Sequence, residues 1–312
     1  MDKDRIAGRG RKMYGKDMDF SAIAHFIASW LSDGVNNAIA PDSGLPAFGP
    51  PLVGCAAGDD PLFEFLKKDI GPDFYWTPSE AFALAHPDVP ASPAELRVAA
   101  WILPQTGHTK AAHRKETSLP SIEWSRVRHY GEMVNVNLRK AVVAAFAAQG
   151  IAACAPVLLP EWSREMSEKY GFASRWSERH AAYACGLGTF GLSDGLITRA
   201  GKAIRAGSVV IKAELAVTPR EYENHNAWCL FYSTGKCRAC MKRCPAGAIT
   251  EAGHDKVKCK AYIRDVTALH VEEKQLGFRV NSCGLCQTKV PCESGDPTRR
   301  LAEKQKREKE RA

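Results

Sequence analysis

Cysteine residues dominate one short stretch of the chain, "GKCRACMKRCPAGAIT" at residues 235–250. Cys237, Cys240 and Cys244 are separated by two and by three residues, and Pro245 follows directly. Bacterial [4Fe–4S] clusters use such a run, but with four cysteines before the proline, in the pattern C-x2-C-x2-C-x3-C-P. Thr234 stands where the first of the four would be. The run therefore predicts an iron–sulfur cluster whose missing thiolate comes from elsewhere in the chain.

The other cysteines of the chain provide a candidate for that missing thiolate. Of the 11 cysteines in the chain, eight lie between residues 229 and 292, which is the number that two [4Fe–4S] clusters need. In two-cluster ferredoxins the cysteine beside the proline serves the other cluster from the cysteines that precede it. We therefore predict that one cluster is held by Cys229, Cys237, Cys240 and Cys292, and the second by Cys244, Cys259, Cys283 and Cys286. The remaining cysteines lie alone in small or apolar surroundings and are expected in the core: Cys55, Cys154 and Cys185.

Zinc is the competing interpretation, because "CRAC" and "CGLC" are two C-x2-C pairs. However, 42 residues separate Cys240 from Cys283, whereas zinc ribbons commonly have about 15–20 residues there. Zinc would also leave four cysteines and the "CPAGAI" turn without a role. The count, the proline and the preference of iron–sulfur clusters for thiolates favour iron–sulfur.

A second candidate site is the segment "CGLGTFGL", in which Gly186, Gly188 and Gly191 match G-x-G-x-x-G. A dinucleotide-binding fingerprint must follow a strand and open a helix, with an acidic residue about 20 positions later. This segment instead follows residues of helical composition. Asp194 is too near to the glycines to be the acidic residue, and Glu214 falls in a predicted strand. NAD binding is therefore disfavoured. The glycines indicate either a turn that lets a helix pass close to a strand or backbone amides placed against a large flat cofactor.

The elements that must position these residues divide the chain in two. Helical spacing predicts helices over 20–40, over 130–150 and within 173–192, whereas "AELRVAAWILP", "IAACAPVLLP" and 207–217 read as strands. At Pro219 the composition becomes rich in cysteine and loops. We predict an α/β (α+β) domain at 17–222 and a metal-binding domain at 223–297, between a basic segment 1–16 and a charged tail 298–312.

Charge and hydropathy set further bounds. The net charge is +8, but the two terminal segments each contribute +4, so the body is neutral and the charge does not indicate a nucleic-acid partner. No apolar stretch approaches the roughly 20 residues of a membrane span, and the start of the chain lacks the apolar region of a secretory signal. We expect a cytoplasmic protein without a membrane partner, in which cysteines serve as ligands rather than disulfides.

At this point a family resemblance emerges. The segments "SERHAAYACGLGTFGLSDGLIT" and "GSVVI", followed by "KCKAYI" and "CGLCQ", resemble the epoxyqueuosine reductase and reductive dehalogenase superfamily of cobalamin-dependent iron–sulfur enzymes. The resemblance is good from about residue 170 to 292 and fainter upstream. It implies a nitroreductase-like, corrinoid-binding α/β domain followed by a bacterial dicluster ferredoxin-like domain. The residues that it suggests as corrin contacts are the three glycines for the corrin edge and, by residue type, three polar residues: Gly186, Gly188, Gly191, Ser193, Arg205 and Ser208.

The sequence also departs from this superfamily. Its tRNA-modifying members have an acidic proton donor a few positions before the glutamate that matches Glu178, and Phe172 stands there in this chain. Dehalogenases use a tyrosine with a basic partner instead, which Tyr170, Arg175 and His180 could supply, although "YGFASRWSERH" could also be an ordinary solvated helix entry. The chain lacks the D-x-H-x-x-G motif that gives cobalt a histidine ligand elsewhere. We therefore expect cobalamin in its base-off form.

The resemblance implies an oxidoreductase that removes a halogen, an oxygen or a similar group from a small organic substrate. Two [4Fe–4S] clusters would pass electrons to cobalt from a low-potential donor of the ferredoxin or flavodoxin type. One alternative is epoxyqueuosine reduction on tRNA, which the residue at position 172 and the neutral body disfavour. Another is an electron-transfer protein that reactivates the corrinoid of a partner and transforms no substrate itself.

Overall fold

A computed structural model describes residues 20–41 and 43–310 of the chain, and it confirms the predicted mixture of helices and strands. The basic segment 1–16 and the last two residues of the charged tail lie outside the described residues. The first part of the chain contains α1 Phe20–Ser32, β1 Leu52–Ala57, α2 Pro61–Ile70, α3 Pro78–Ala85, β2 Leu96–Pro104, α4 Gly107–Lys115, α5 Ile122–Ala147, β3 Ala153–Cys154, β4 Arg164–Ser167, β5 Gly171–Ser174, α6 Glu178–Ala184, β6 Gly188–Phe190, β7 Leu196–Thr198 and β8 Ile204–Lys212. The cysteine-rich part contains α7 Leu230–Thr234, α8 Ala239–Arg243, β9 Ile249–Thr250, β10 Gly253–His254, α9 Lys256–Tyr262, α10 Ala268–Val271 and α11 Pro297–Lys309.

A four-stranded antiparallel sheet of order β1-β2-β8-β3 forms the centre of the first part. Strand β2 is buried over Val98–Leu103, so its alternating side chains pack on both faces of the sheet. Trp101 belongs to a core cluster that includes residues of α1 and α5. Ala100 belongs to a second cluster that includes residues of α3 and α6. The sheet is therefore the middle layer between two layers of helices.

Several predicted elements are confirmed, with different bounds. The strand that ends at Pro104 is β2, and the predicted strand at 207–217 is β8, which begins three residues earlier. The helix predicted over 130–150 begins already at Ile122, because the Ser121 hydroxyl accepts a hydrogen bond from the Trp124 amide and caps it. The helix predicted over 20–40 ends at Ser32.

Two predictions of length were wrong. The strand predicted in "IAACAPVLLP" has only two residues, Ala153–Cys154, because Pro156 follows and has no amide to donate to the sheet. The helix predicted within 173–192 is reduced to Glu178–Ala184. Residues Gly171–Ser174 before it are the strand β5, which pairs with β4, so the entry to this helix is a hairpin and not a solvated helical turn.

The three isolated cysteines are core residues, as predicted. Cys55 and Cys185 are fully buried and Cys154 is nearly so. Burial raises the pKa of the Cys55 and Cys154 thiols to about 12, because a thiolate is poorly solvated there. These thiols therefore stay protonated and act as small apolar side chains.

The cysteine-rich part packs directly on the sheet-containing part. Arg114 Nε in α4 donates to Glu293 Oε2 at 2.9 Å, and the Tyr262 hydroxyl in α9 donates to the carbonyl of Ser118 at 2.8 Å. Asp296 caps helix α11, and its side chain accepts a hydrogen bond from the Thr298 amide at 2.9 Å. The predicted domain limits at 222 and 297 stay predictions. Within the described ranges, none of the helices has the length and apolarity to cross a membrane.

Candidate functional site

The first predicted set of cysteines surrounds one cavity. Cys229 precedes α7, Cys240 lies in α8, and Cys237 and Cys292 lie in the adjoining loops. All four line the same cavity, whose other walls are mainly apolar. The apolar wall residues include Leu192, Ile197, Phe231, Val290 and Pro291. The structure therefore brings together four cysteines that span 64 positions in the sequence, from 229 to 292.

The second predicted set is joined by mutual electrostatic coupling. The pKa values of the Cys259, Cys283 and Cys286 thiols are raised to about 11, mainly by burial, and the neighbouring Cys244 is a smaller cause in each case. Cys259 also acts on Cys283. Because such coupling between charges falls off with distance, these four thiols lie near one another, and Cys286 also lies near Cys240 of the first set.

The donor set suits iron–sulfur clusters. Among residues 20–41 and 43–310, no group of three or more His, Cys, Asp and Glu side chains is placed to hold a metal ion. A cubane cluster presents a separate iron to each of its four thiolates, so its cysteines need to surround a shared volume rather than one point. The first set does this around an apolar cavity, and the residues present fit such a group.

A lysine that the sequence analysis missed lies in the same cavity. Lys202 is only 3% exposed, and its Nζ donates to Ser193 Oγ at 3.0 Å. Burial lowers the pKa of Lys202, but the thiols around it raise the pKa more, so that the net shift is upward. The thiols that do so belong to both sets: Cys292, Cys286, Cys240 and Cys229. No sequence pattern marks this lysine in "RAGKAIRAG".

The glycines of "CGLGTFGL" mainly make room for the protein's own backbone. A Cβ on Gly188 would lie 2.2 Å from the carbonyl oxygen of Ile197, across the β6–β7 hairpin. Gly186 has φ +77°, and a Cβ there would lie 2.8 Å from the carbonyl oxygen of Pro219. Gly191 lines the cysteine cavity. The segment follows helix α6 and leads into a strand, which is the reverse of a dinucleotide-binding turn.

The three polar residues predicted as corrin contacts have protein partners. Ser193 holds Lys202, as described above. Ser208 is fully buried, donates to Glu178 and accepts from Trp176 Nε1 at 2.9 Å. Arg205 pairs with Glu132, but among the described residues its buried Nε finds no acceptor. Arg205 is thus a predicted contact that has a buried donor without an acceptor among the described residues.

An open groove lies beside this arginine. Glu132, the partner of Arg205, lines the groove together with Arg128, which shares the same carboxylate at 3.7 Å. Burial, followed by the nearby Arg128 and Arg139, lowers the pKa of Arg205 to about 10, although Glu132 acts in the opposite direction. The concentration of guanidinium groups around one glutamate makes this wall of the groove suited to an anionic or amide-bearing ligand.

One of the three candidate catalytic side chains, Tyr170, contacts an aspartate. The Tyr170 hydroxyl donates to Asp69 Oδ2 at 2.5 Å, and Lys169 pairs with the same carboxylate. Asp69 in turn acts electrostatically on His180. Burial would raise the pKa of Asp69, but the bonds from Lys169 and Tyr170 hold it below its usual value. The arrangement keeps a proton on Tyr170, whose pKa is raised by burial and by this carboxylate.

His180 lies on α6 in an aromatic environment. Its ring lies 4.8 Å from that of Phe190 and 6.2 Å from that of Tyr75, and Nδ1 is 2.8 Å from Ser177 Oγ. Burial, then the nearby Arg179 and Lys256, lowers the pKa of His180 to about 3. The imidazole is therefore neutral near pH 7.

Arg175, the third candidate catalytic residue, forms its hydrogen bonds with other residues than Tyr170 and His180 do. Its Nε donates to Glu165 Oε1 and to Ser163 Oγ, both at 2.8 Å, which ties together the β4–β5 hairpin and its flanks. The guanidinium also lies 6.0 Å from the ring centre of Trp76. These contacts hold the hairpin whose tip carries Tyr170.

Comparisons with known proteins place these features in context. The chain is 32% identical over 120 residues to an epoxyqueuosine reductase of Francisella cf. novicida (strain Fx1), a match over 36% of this chain and 31% of that protein. The chain thus matches about a third of the length of this curated relative. This match confirms the resemblance to the superfamily that the sequence indicated. No family model matches the chain.

Solved structures of an epoxyqueuosine reductase and of a reductive dehalogenase are also similar to this chain, at lower sequence identity. An epoxyqueuosine reductase from Bacillus subtilis has a TM-score of 0.43 and 16% identity, over 78% of this chain and 62% of that one. A reductive dehalogenase, described with a B12-dependent dehalogenation mechanism, has a TM-score of 0.48 and 18% identity, over 81% of this chain and 31% of that one. A similarity of this degree does not carry over an activity.

Proposed function

We propose that this chain is an oxidoreductase that holds two [4Fe–4S] clusters and uses cobalamin in its base-off form to reduce a small organic substrate. The single observation that carries the proposal is the grouping of the eight cysteines. Four of them line one apolar cavity with Lys202, and the other four are electrostatic neighbours of one another. This grouping supports two clusters with the ligands that the crossover in two-cluster ferredoxins predicts.

The chain's own residues would bind the clusters and hold a proton. The apolar walls around the first set exclude water, and buried thiolates favour a low reduction potential. A corrinoid, when bound, supplies the reducing centre that acts on the substrate. Tyr170 keeps its proton at Oη against Asp69, which is the geometry of a group able to donate that proton. Arg205, whose buried Nε has no acceptor among the described residues, remains a candidate contact for the cofactor.

Reduction of a modified tRNA is a further candidate, because the curated relative is named an epoxyqueuosine reductase. At position 172, where such enzymes carry an acidic proton donor, this chain has Phe172 in β5. The Lys260 ammonium lies 3.7 Å from the centre of its ring. A cation over an aromatic ring is a stabilising contact but provides no proton acceptor or donor of the carboxylate type.

An electron carrier without its own corrinoid is the other candidate. Gly186 and Gly188 contact the chain's own backbone, and Ser208 is fully buried with two partners. These contacts favour a protein that serves the corrinoid of a partner. Such a protein would load both clusters but would not bind free cobalamin tightly.

Electron paramagnetic resonance on anaerobically reconstituted protein with added cob(II)alamin tests the proposal. We expect reducible [4Fe–4S] signals together with a base-off cobalt signal that lacks nitrogen splitting. Cys237→Ser should remove one cluster, whereas Cys154→Ser, at a buried core cysteine, should keep both. Clusters beside base-on cobalamin would show the electron carrier instead, and turnover of an epoxyqueuosine-containing tRNA stem loop would show the tRNA enzyme. Protein that binds no cluster would refute all three.

A further inference from the structure

A buried cation without a carboxylate partner lies at the first cysteine set. Lys202 is 3% exposed, yet among the described residues no Asp or Glu lies within ion-pair distance of its ammonium. Its Nζ donates to the neutral hydroxyl of Ser193 at 3.0 Å. A buried charge is costly unless an opposite charge compensates it. The compensating negative charge must therefore come from something other than a carboxylate.

The cysteines supply that charge. Lys202 lines the same cavity as the four cysteines of the first set. The backbone amide of Lys202 donates to the carbonyl of Cys292 at 2.8 Å. The residues that line this cavity with Lys202 include all four cysteines of the first set and none of the second. The side chain of Lys202 is therefore assigned to the first set.

The local backbone fixes this position. Gly201, directly before the lysine, has φ +95°, and a Cβ there would lie 2.1 Å from the carbonyl oxygen of Glu293. The segment between β7 and β8 is therefore held tightly against the residue that follows Cys292. Lys202 reaches the cavity because this glycine lets the two chain segments touch.

We propose that Lys202 is a built-in counter-charge for the first [4Fe–4S] cluster and that it raises the reduction potential of this cluster. Four thiolates leave a bound cluster with a net negative charge, and one-electron reduction adds another negative charge without a proton. A fixed cation stabilises the reduced form more than the oxidised form. At an effective dielectric constant of about 20, the interaction energy of two charges a few ångströms apart is large enough to change an equilibrium constant more than tenfold. Lys202 acts through the cluster and is a positioning residue.

Potentiometric titration followed by electron paramagnetic resonance tests this proposal in the reconstituted full chain. Lys202→Met should lower the reduction equilibrium constant of the first cluster at least tenfold, which is about 59 mV for a one-electron couple. The second cluster should shift less. Lys202→Arg keeps the charge and should stay within a few-fold of the wild type. Lys242→Met removes an exposed lysine of α8 and should have little effect, because water screens that charge.

Ser193→Ala supplies an intermediate variant, since it leaves the charge but removes the hydroxyl that orients it. A shift in the same direction as Lys202→Met, but smaller, is expected. If Lys202→Met fails to load the first cluster while Lys202→Arg loads it, the counter-charge role is also supported. Equal potentials in wild type and Lys202→Met, or equal effects of the Met and Arg variants, overturn the proposal.

The inference rests on the clusters of the proposed function, and the two can fail separately. Iron and sulfide analysis of the wild type shows whether clusters are present. Wild-type protein without clusters refutes the proposed function. Wild-type protein with two clusters whose potentials are insensitive to Lys202→Met refutes only the role of the lysine.

Discussion

Replacing Gly188 by alanine tests whether the glycine segment serves the fold or a cofactor. Gly188 pairs with Thr198 across the β6–β7 hairpin, and an added Cβ would lie 2.2 Å from the carbonyl oxygen of Ile197. Because that atom belongs to the backbone of the paired strand, no side chain can rotate away. The two strands must separate instead, and the hydrogen bonds between them are lost.

The expected cost follows from this geometry. Overpacking of a well-packed site typically costs 1–3 kcal/mol, and a backbone clash of this size falls at or above the upper end. We expect Gly188→Ala to lower the free energy of unfolding by about 3 kcal/mol or more. Gly191→Ala is the matched control, since its Cβ would lie 3.1 Å from Ile197 Cδ1, the end of a side chain that can move. Its cost should stay below about 1 kcal/mol.

Urea unfolding followed by tryptophan fluorescence measures both variants, with cobalamin binding measured in parallel. Gly188→Ala should already be destabilised before any cofactor is added. If Gly188→Ala unfolds like the wild type and only loses affinity for added cobalamin, the glycine is kept for a bound cofactor and the structural explanation fails. Similar losses of stability in both glycine variants would also contradict it, because the two predicted contacts differ in kind.

Three further predictions concern buried or hydrogen-bonded charges. Arg139→Met should destabilise the protein by about 3–5 kcal/mol, since it leaves Glu178 buried without the cation that lies 2.9 Å away. Adding Glu178→Gln should recover part of the lost stability in the same urea assay. A double variant with no recovery would contradict this explanation. Burial lowers the pKa of His180, and also that of His113, from about 6.5 to about 3. Each histidine should therefore lower stability by about 1.4 kcal/mol per pH unit below pH 6.5, and His180→Phe should remove one of these two contributions, leaving that of His113. Tyr170→Phe removes one bond to Asp69 from a side chain that is 39% exposed, so stability should change by less than about 1 kcal/mol, and a larger loss of substrate reduction at unchanged stability would support its role as a proton donor.

Local spacing allowed much of the fold to be predicted from the sequence. The buried positions Val134, Leu138, Val142 and Phe146 lie on one face of α5 because a 3.6-residue period places them there. The hydrophobic run before Pro104 is a strand buried on both faces. The β4–β5 hairpin was not predicted, since its four-residue strands are half-buried and carry no clear alternation. The pairing of β4 with β5 across the hairpin makes these residues strands, and their residue types alone do not indicate it.

The candidate site shows the same division between local and tertiary information. Counting cysteines and applying the crossover rule predicted two groups of ligands, because ligand identity and spacing are written in the sequence. The charge that faces them is not, since Lys202 is one of 43 lysines and arginines and lies 90 residues before Cys292. Only the fold, through the close approach at Gly201, brings the ammonium against the thiolates. A cluster's potential depends on such fixed charges as much as on its ligands. Chains with the same cysteine pattern can therefore differ in reduction potential, and the residue at position 202 is where this chain would set its own.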